Sequence, residues 1–244
     1  MSAGATAIVT GASRGLGRAL ARALAERGWS LVVDARGRAD LERAAHELAE
    51  LTDVRALAGD VADPAHRSAL IAAAGERIDL LVNNASILGP SPLPAIADYP
   101  PGELAAVLEV NLLAPLALIQ LALPRLAGGV IVNVTSDAGV EPYPGWGGYG
   151  SAKAALEQLT AVLAVERPDL RVYAVDPGDM RTRMHQEAFP GEDISDRPPP
   201  EESVPGIIAL IEQACPSGRY RARELGDAGS DAARRGVAEA GGIR

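Results

Sequence analysis

Six short runs rich in branched apolar residues alternate with longer segments of helical character along most of the chain. The runs are residues 5–10, 30–35, 54–58, 79–84, 129–136 and 171–177. Between the first two runs, Leu20, Ala23 and Leu24 fall on one helical face. Strands that alternate with helices pair in parallel, and the helices then cover both faces of the sheet. The sequence therefore predicts a doubly wound α/β fold.

The C-terminal part breaks this alternation. We expect a further helix over about 201–214 and a short strand at 218–224, which would complete a parallel sheet of about seven strands. Residues 183–206 are rich in Pro, Asp and Glu, which favours a mobile flap over the substrate site. We predict one domain over residues 1–225, followed by a tail, 226–244, that is poorly ordered or docked on a partner subunit.

Composition excludes several classes of protein. The net charge of −9, without a long basic cluster, argues against a nucleic-acid partner. The single cysteine, Cys215, excludes an internal disulfide and a thiolate zinc cluster, and no metal site is predicted. The apolar run 111–124 contains Gln120 and two prolines, which indicates a buried helix or a subunit interface and no membrane partner. With no secretory signal visible, we expect a cytoplasmic protein.

A glycine pattern follows the first predicted strand. Gly11, Gly15 and Gly17 form G-x-x-x-G-x-G where the strand turns into a helix. Glycine permits the tight turn and the close approach of a pyrophosphate, which then binds at the helix N-terminus. A plain strand-to-helix turn is the alternative.

Lys153 is the only lysine in a chain with 23 Lys and Arg residues. It follows Tyr149 by four residues, so a helix would place the two on one face. An ammonium close to a phenol favours the phenolate, and we therefore expect a lowered pKa for Tyr149. Arginine, with its wide planar group, would fit such a site poorly.

These motifs together resemble the short-chain dehydrogenase/reductase family in its single-domain branch with TGxxxGxG and YxxxK motifs. They occur in the family's order over about 175 residues: "TGASRGLG" (10–17), "GDV" (59–61), "NNAS" (83–86), "VNL" (110–112), "VTSDAG" (134–139), "YGSAK" (149–153) and "DPGDMRT" (176–182). The resemblance implies a Rossmann domain, a nicotinamide cofactor, and catalytic roles for Ser136, Tyr149, Lys153 and Asn111. It implies cofactor binding by Gly11, Ser13, Arg14, Gly15, Leu16, Gly17, Ala35, Arg36, Asp60, Val61, Asn83, Ala85, Tyr149, Lys153, Pro177, Gly178, Met180 and Thr182.

The end of the second strand bears on the choice of cofactor. Asp34 could select NAD(H) through the ribose hydroxyls, but side chains alternate along a strand, so Asp34 and Ala35 cannot both face the ribose. The spacing in the family puts Ala35 at the reading position, followed by Arg36. Arg36 and Arg14 could then bind a 2′-phosphate. We therefore favour NADP(H), with NAD(H) possible.

Asn111 stands four residues before Pro115. Because proline has no N–H, the carbonyl of Asn111 loses its usual helical partner and a local kink is expected. In the family the backbone of this asparagine binds a water linked to the lysine; simple packing of Asn111 is the alternative.

The substrate pocket is expected to include Asp137, Trp146, Met184 and His185, with Glu141 and Phe189 nearby. Asp137 either selects a polar or cationic substrate or caps a turn, and a lone histidine such as His185 is more often a flap or surface residue than an acid or a ligand. The sequence departs from the family at Ser86, where glycine is usual, which could narrow the space beside the nicotinamide ribose.

The sequence thus predicts an NAD(P)-dependent oxidoreductase for carbonyl compounds or secondary alcohols, in particular an NADPH-dependent carbonyl reductase. The alternatives are a catalytically silent dinucleotide-binding regulatory protein, and an epimerase or dehydratase, which usually has a larger C-terminal domain. Helices with apolar residues on all sides, as over 102–124, indicate a homodimer or homotetramer.

Overall fold

The computed structural model describes residues 4–126 and 128–226 of the chain. A seven-stranded sheet lies at its centre, in the order β3-β2-β1-β4-β5-β6-β7, and every neighbouring pair is parallel. The strands are β1 Thr6–Val9, β2 Ser30–Ala35, β3 Val54–Ala58, β4 Leu80–Asn83, β5 Val130–Val134, β6 Arg171–Asp176 and β7 Gly218–Arg221. The predicted doubly wound α/β fold is confirmed.

Helices connect the strands and cover both faces of the sheet. They are α1 Gly15–Ala25, α2 Arg38–Ala49, α3 Pro64–Ala73, α4 Pro101–Leu108, α5 Ala114–Ala122, α6 Gly147–Glu166, α7 Arg183–Ala188, α8 Val204–Glu212 and α9 Ala222–Gly226. Short 3₁₀ turns occur at Ile96–Asp98, Leu123–Arg125, Asp137–Gly139 and Pro200–Ser203.

Two apolar cores lie on opposite faces of the sheet, as alternation along buried strands requires. On β2, Leu31 and Val33 belong to the core formed with α1, α2 and α8. Val32, between them, belongs to the other core, formed with α3, α5 and α6. The face of each strand residue is therefore fixed, which matters for the residues at the strand ends.

The order of the strands indicates where in the sheet a ligand would bind. From β1 the chain first moves outward to β2 and β3, and then returns to the other side of β1 to form β4. In open parallel sheets, ligands bind beyond the carboxyl ends of the strands at such a reversal. The glycine turn after β1 and residue Asn84 after β4 both lie there, since Asn84 hydrogen-bonds to this turn.

Helices α4 and α5 are joined by one turn of π-helix, Glu109–Leu113, in which the N–H of Ala114 donates to the carbonyl of Glu109. The π turn lies where Pro115 predicted a kink, because Pro115 cannot donate to Asn111. The continuous helical stretch Pro101–Arg125 contains an 18-residue window with a mean hydropathy of 1.9, and it is long and apolar enough to cross a membrane by length and composition. Core helices of soluble proteins pass the same test, and this stretch contributes Leu118 and Ile119 to the core.

The segment 183–206 contains helix α7, the 3₁₀ turn Pro200–Ser203 and the start of α8. The Thr182 hydroxyl accepts the N–H of His185 and so begins helix α7. Farther on, the buried hydroxyl of Ser203 donates to the carbonyl of Pro177 at 2.7 Å, which ties the segment to the end of β6. The predicted tail, 226–244, lies outside the described residues except for Gly226.

Candidate active site

One extended cavity of about 1070 Å³ lies at the carboxyl ends of the strands. This exceeds the usual ligand-pocket range of roughly 300–1,000 Å³, so the cavity has room for two ligands side by side. Most of the predicted site residues line it: Gly11, Ser13, Arg14, Gly15, Leu16, Gly17, Ala35, Arg36, Asp60, Val61, Ala85, Ser136, Asp137, Trp146, Tyr149, Lys153, Pro177, Gly178, Met180, Thr182, Met184 and His185. Asn83 and Asn111 are not among the lining residues.

The glycine turn is tightly packed at Gly11 and Gly17. A Cβ at Gly17 would overlap the carbonyl oxygen of Gly11 and the side chain of Asn84. Gly11 and Gly15 have positive φ angles of 68° and 56°, which glycine adopts without strain. The N-cap, Arg14, makes no side-chain hydrogen bond to the first amides of α1. These amides are therefore available to an anion in the cavity.

Asn84 holds the glycine turn, next to Asn83, which is predicted to bind the cofactor. The Nδ2 of Asn84 donates to the carbonyls of Thr10 at 2.8 Å and Gly11 at 3.2 Å. Asn83 instead points into the sheet, where its Nδ2 donates to Oδ1 of Asn133 at 2.8 Å. Adjacent residues at a strand end face opposite sides, so only one of the two asparagines can reach the turn.

Asp34 lines the cavity together with Ala35 and Arg36, but its side chain is almost completely buried and both of its carboxylate oxygens have partners. Its Oδ1 accepts the N–H of Gly11 at 2.8 Å, and its Oδ2 lies 3.0 Å from Nε2 of His66. Arg36 and Arg14 are exposed at the cavity, without a salt-bridge partner among residues 4–126 and 128–226. At this end of the cavity, Arg14 and Arg36 are therefore free to bind an anion, whereas both oxygens of Asp34 already have partners.

Tyr149 and Lys153 lie one turn apart on α6 and both are buried. The Nζ of Lys153 lies 5.3 Å from the centroid of the Tyr149 ring and donates to the carbonyl of Val134 at 2.8 Å. Burial lowers the pKa of Lys153 to about 8, although the negative charge of Glu157 opposes this shift. The lysine can therefore exchange a proton near neutral pH.

The pKa of Tyr149 does not follow the expectation. Burial raises the pKa of its phenol well above the ordinary value of 10, and the negative charges of Asp176 and Asp137 add to this effect. A hydrogen bond with the side chain of Ser86 lowers the pKa but does not compensate for burial. In this arrangement the phenol keeps its proton at neutral pH, which suits a proton donor better than a base.

Ser136 stands at the end of β5, where its hydroxyl donates to Oδ1 of Asp137 at 2.9 Å. The other carboxylate oxygen of Asp137 accepts the hydroxyl of Tyr143 at 3.1 Å. The N–H of Ala138 is shared between Oδ1 of Asp137 at 2.8 Å and the hydroxyl of Ser136, the N-cap of this turn, at 3.2 Å, so Asp137 bonds to the local turn, one of its two predicted roles, and still lines the cavity. The Ser136 hydroxyl has to turn away from Asp137 before it can donate to a substrate oxygen.

Asn111 lies behind the cavity wall and is almost completely buried. Its Oδ1 accepts the N–H of Ile87 at 2.9 Å and the hydroxyl of Ser86 at 3.1 Å, and its Nδ2 donates to the carbonyl of Ile87 at 2.8 Å. The side chain thus fixes the loop after β4. Ser86, the departure from the family pattern, donates its hydroxyl to Asn111, and its side chain also lowers the pKa of Tyr149.

The substrate end of the cavity has an apolar wall. Leu88, Ala138, Tyr149 and Ala188 form a buried cluster, against which Leu93, Trp146, Met184 and Phe189 pack. The rings of Trp146 and Tyr149 meet edge to face, with centroids 5.7 Å apart. Predicted pocket residue Glu141 lines a smaller neighbouring cleft and not this cavity.

Several residues of the site were missed by sequence reasoning. Asn84 and Leu88 line the cavity; Asn84 belongs to the motif "NNAS" (83–86), and Leu88 follows that motif by two residues. Leu93 and His66 carry no comparable signal, because their places depend on contacts between distant segments.

Comparisons with known proteins agree with this geometry. The family model described as short chain dehydrogenase matches residues 5–193. Sulfoacetaldehyde reductase 2 of Chromohalobacter salexigens is 35% identical over 186 residues, covering 72% of this chain and 73% of that protein. Sepiapterin reductase of Xenopus tropicalis is 35% identical over 195 residues, covering 73% of this chain and 75% of that protein.

A solved structure of a short chain dehydrogenase has a similar fold. The short chain dehydrogenase of Shigella flexneri complexed with NADP superposes with a TM-score of 0.81 at 28% identity, covering 90% of this chain and 97% of that one. The chain belongs to the short-chain dehydrogenase/reductase family. It is an NAD(P)-dependent oxidoreductase of that family.

Proposed function

We propose that the chain is an NADPH-dependent carbonyl reductase that also catalyses the reverse oxidation of a secondary alcohol. The observation that carries this proposal is the buried pair of Tyr149 and Lys153, one helical turn apart, at the cavity that the glycine turn also lines. The phenol retains its proton at neutral pH because burial raises its pKa, and reduction of a carbonyl consumes a proton.

The residues of the cavity fit a dinucleotide. The uncapped amides at the start of α1, from Gly15 onward, would bind the pyrophosphate, and Asp60 and Val61 lie where an adenine would be held. Met180 and Thr182 line the opposite part of the cavity and would contact the nicotinamide. When bound, the reduced nicotinamide supplies a hydride to the carbonyl carbon.

NADPH is favoured over NADH by the charges at the end of β2. The carboxylate of Asp34 is engaged with Gly11 and His66, while Arg36 and Arg14 line the cavity. A 2′-phosphate requires cations at this place, whereas unmodified ribose hydroxyls are usually bound by a carboxylate. The relative from Shigella flexneri, complexed with NADP, supports the same choice.

Residues of the chain supply the proton that the substrate oxygen receives when the carbonyl is reduced. Tyr149 gives its phenolic proton to the substrate oxygen as the carbon is reduced, which produces an alcohol and a phenolate. Ser136, turned away from Asp137, donates to the same oxygen and stabilises its developing charge. The ammonium of Lys153 stabilises the phenolate, and loses or gains a proton near neutral pH because its pKa is about 8. Asn111 keeps the loop after β4 in place through Ile87.

A homodimer or homotetramer is the proposed assembly, and the cytoplasm the proposed location. Leu113 and Leu121 on one helical stretch, and Val162 and Val165 on α6, are exposed apolar residues that a second subunit would cover.

The single cysteine, Cys215, is a buried thiol that suits a reducing compartment.

We expect the pH dependence of carbonyl reduction to report the titration of Lys153. The protonated lysine stabilises the tyrosinate formed in the reaction, so kcat should be constant at lower pH and decrease as the pH rises through about 8. Above this pH the decrease should approach roughly tenfold per pH unit. A kcat that increases between neutral and alkaline pH in the reductive direction would contradict the assignment.

Replacing Arg36 with alanine should reduce the preference for NADPH. Loss of a charge-assisted contact is expected to raise the KM for NADPH by roughly 10- to 100-fold, with little change for NADH. Arg38→Ala is a matched control, because Arg38 is exposed and pairs with Glu42 at 3.7 Å. Equal effects of Arg36→Ala on both dinucleotides would refute its role at the 2′-phosphate.

The function is tested with a panel of ketones, aldehydes and secondary alcohols. Each is incubated with the enzyme and either NADPH or NADH, and with the oxidised forms for the alcohols, while the nicotinamide absorbance is followed. We expect consumption of NADPH with at least one carbonyl compound and a slower reaction with NADH. Failure of every class of carbonyl and alcohol with both dinucleotides would argue against the proposal.

A further inference from the structure

Asp34 is a carboxylate in a place where charged groups are rarely found. Its side chain is 1% exposed, at the end of a strand in the interior of the sheet. A buried carboxylate is strongly unfavourable unless hydrogen-bond donors surround it. Its two oxygens are bonded to two different elements: Oδ1 accepts the N–H of Gly11 and Oδ2 contacts Nε2 of His66.

The backbone of Asp34 contributes to the same arrangement. Its carbonyl accepts the N–H of Ala12 at 2.8 Å, so residue 34 binds two consecutive amides of the glycine turn. On the other side, Asn84 binds the carbonyls of Thr10 and Gly11. The turn that shapes the pyrophosphate site is therefore held between Asp34 and Asn84.

The start of α3 and the absence of a side chain at Gly59 together place His66 next to Asp34. Asp63 caps α3 through the N–H of Ala65, and Pro64 occupies the first turn, so the start of this helix is fixed next to β2. A Cβ at Gly59 would overlap the ring of His66, so the imidazole reaches Asp34 only because residue 59 is glycine. The ring is itself 8% exposed. Since a carboxylate can only accept, Nε2 carries the hydrogen of this bond.

We propose that His66 is a positioning residue for the dinucleotide: through Asp34 it fixes Gly11 and thereby the turn that receives the pyrophosphate. This inference rests on the proposed function. Because NADPH and NADH share the pyrophosphate, His66 sets the affinity for both by the same factor. In this it differs from Arg36, which acts on NADPH alone.

The test compares three variants by calorimetric titration with NADPH and with NADH, without a carbonyl substrate. His66→Leu removes the donor and leaves an oxygen of Asp34 without a partner, so the Kd for both dinucleotides should increase equally, by about tenfold. His66→Gln retains a side-chain N–H donor and should stay within about threefold of the wild type. His46→Leu, on the exposed last turn of α2, is the matched control and should change neither value.

Thermal unfolding of the same variants separates positioning from general stability. If His66→Leu lowers Tm but leaves both Kd values unchanged, or changes only one of them, the inference is refuted. If His66→Leu does not fold, His66→Gln and the shorter His66→Asn replace it in the comparison: equal affinities for these two would also refute the inference. A wild-type protein that binds neither dinucleotide would refute the proposed function itself, whereas wild-type binding with unchanged binding by His66→Leu would refute only the role of His66.

Discussion

Tyr149→Phe is expected to lower kcat for carbonyl reduction by roughly 10²–10⁴-fold, the usual contribution of a positioned general acid. The substitution removes only the phenolic hydroxyl, which interacts with Ser86, and leaves the packing of the ring against Trp146 in place. Ser86 keeps its other hydrogen bond, to Asn111. We therefore expect the Kd for NADPH and the thermal stability to stay close to the wild type while turnover is lost.

Tyr220→Phe provides the control for this experiment. This substitution likewise removes only a phenolic hydroxyl, which in Tyr220 donates to the carbonyl of Pro216 at 2.8 Å. Tyr220 does not line the cavity. Its kcat should be unchanged. Steady-state rates and calorimetric titration with NADPH measure both quantities, and a Tyr149→Phe enzyme that turns over at the wild-type rate would eliminate Tyr149 as the proton donor.

Gly17→Ala is expected to abolish dinucleotide binding. The new methyl group would overlap the carbonyl of Gly11, which belongs to the backbone and cannot move without reshaping the turn. Overpacking of this kind costs about 1–3 kcal/mol of stability, so Tm should also fall. Circular dichroism establishes whether the variant is folded, and calorimetry with NADPH measures its affinity.

Gly102→Ala is the matched control, because Gly102 is likewise in a helix but has open space around it. Alanine is the better helix former, so this variant should be as stable as the wild type or more stable, by up to about 1 kcal/mol. Its affinity for NADPH should not change. Wild-type affinity in a folded Gly17→Ala variant would show that the turn does not bind the cofactor.

The sequence predicts the architecture well, because burial on both faces of a parallel sheet requires continuous apolar runs. The run at 129–136 contains β5, Val130–Val134, in which every residue is buried, and the run at 30–35 becomes β2, Ser30–Ala35. Alternation along β2 correctly separates Asp34 from Ala35, since Asp34 contacts α3 whereas Ala35 packs against the opposite core. Even the kink before Pro115 follows from the missing N–H of proline and takes the form of a π turn.

What the sequence does not predict depends on burial and on contacts between distant residues. The spacing of Tyr149 and Lys153 suggests a lowered pKa for the phenol, but the depth of burial is not visible in the sequence and it raises this pKa. The contact of His66 with Asp34 joins residues 32 positions apart and depends on the absence of a side chain at Gly59. The proline-rich segment 183–206 is tied to β6 by Ser203, a bond that composition cannot reveal.

The origin of the hydrogen on the carbinol carbon tests the central claim, hydride transfer from NADPH to a carbonyl compound, most directly. The wild-type enzyme is incubated with a reactive carbonyl compound and NADPH that carries deuterium at both positions of C4, and the alcohol is examined by mass spectrometry and NMR. The account predicts one deuterium, on the carbinol carbon, and none on the hydroxyl, whose hydrogen exchanges with solvent. An alcohol without deuterium at that carbon, or deuterium lost to water, would contradict it.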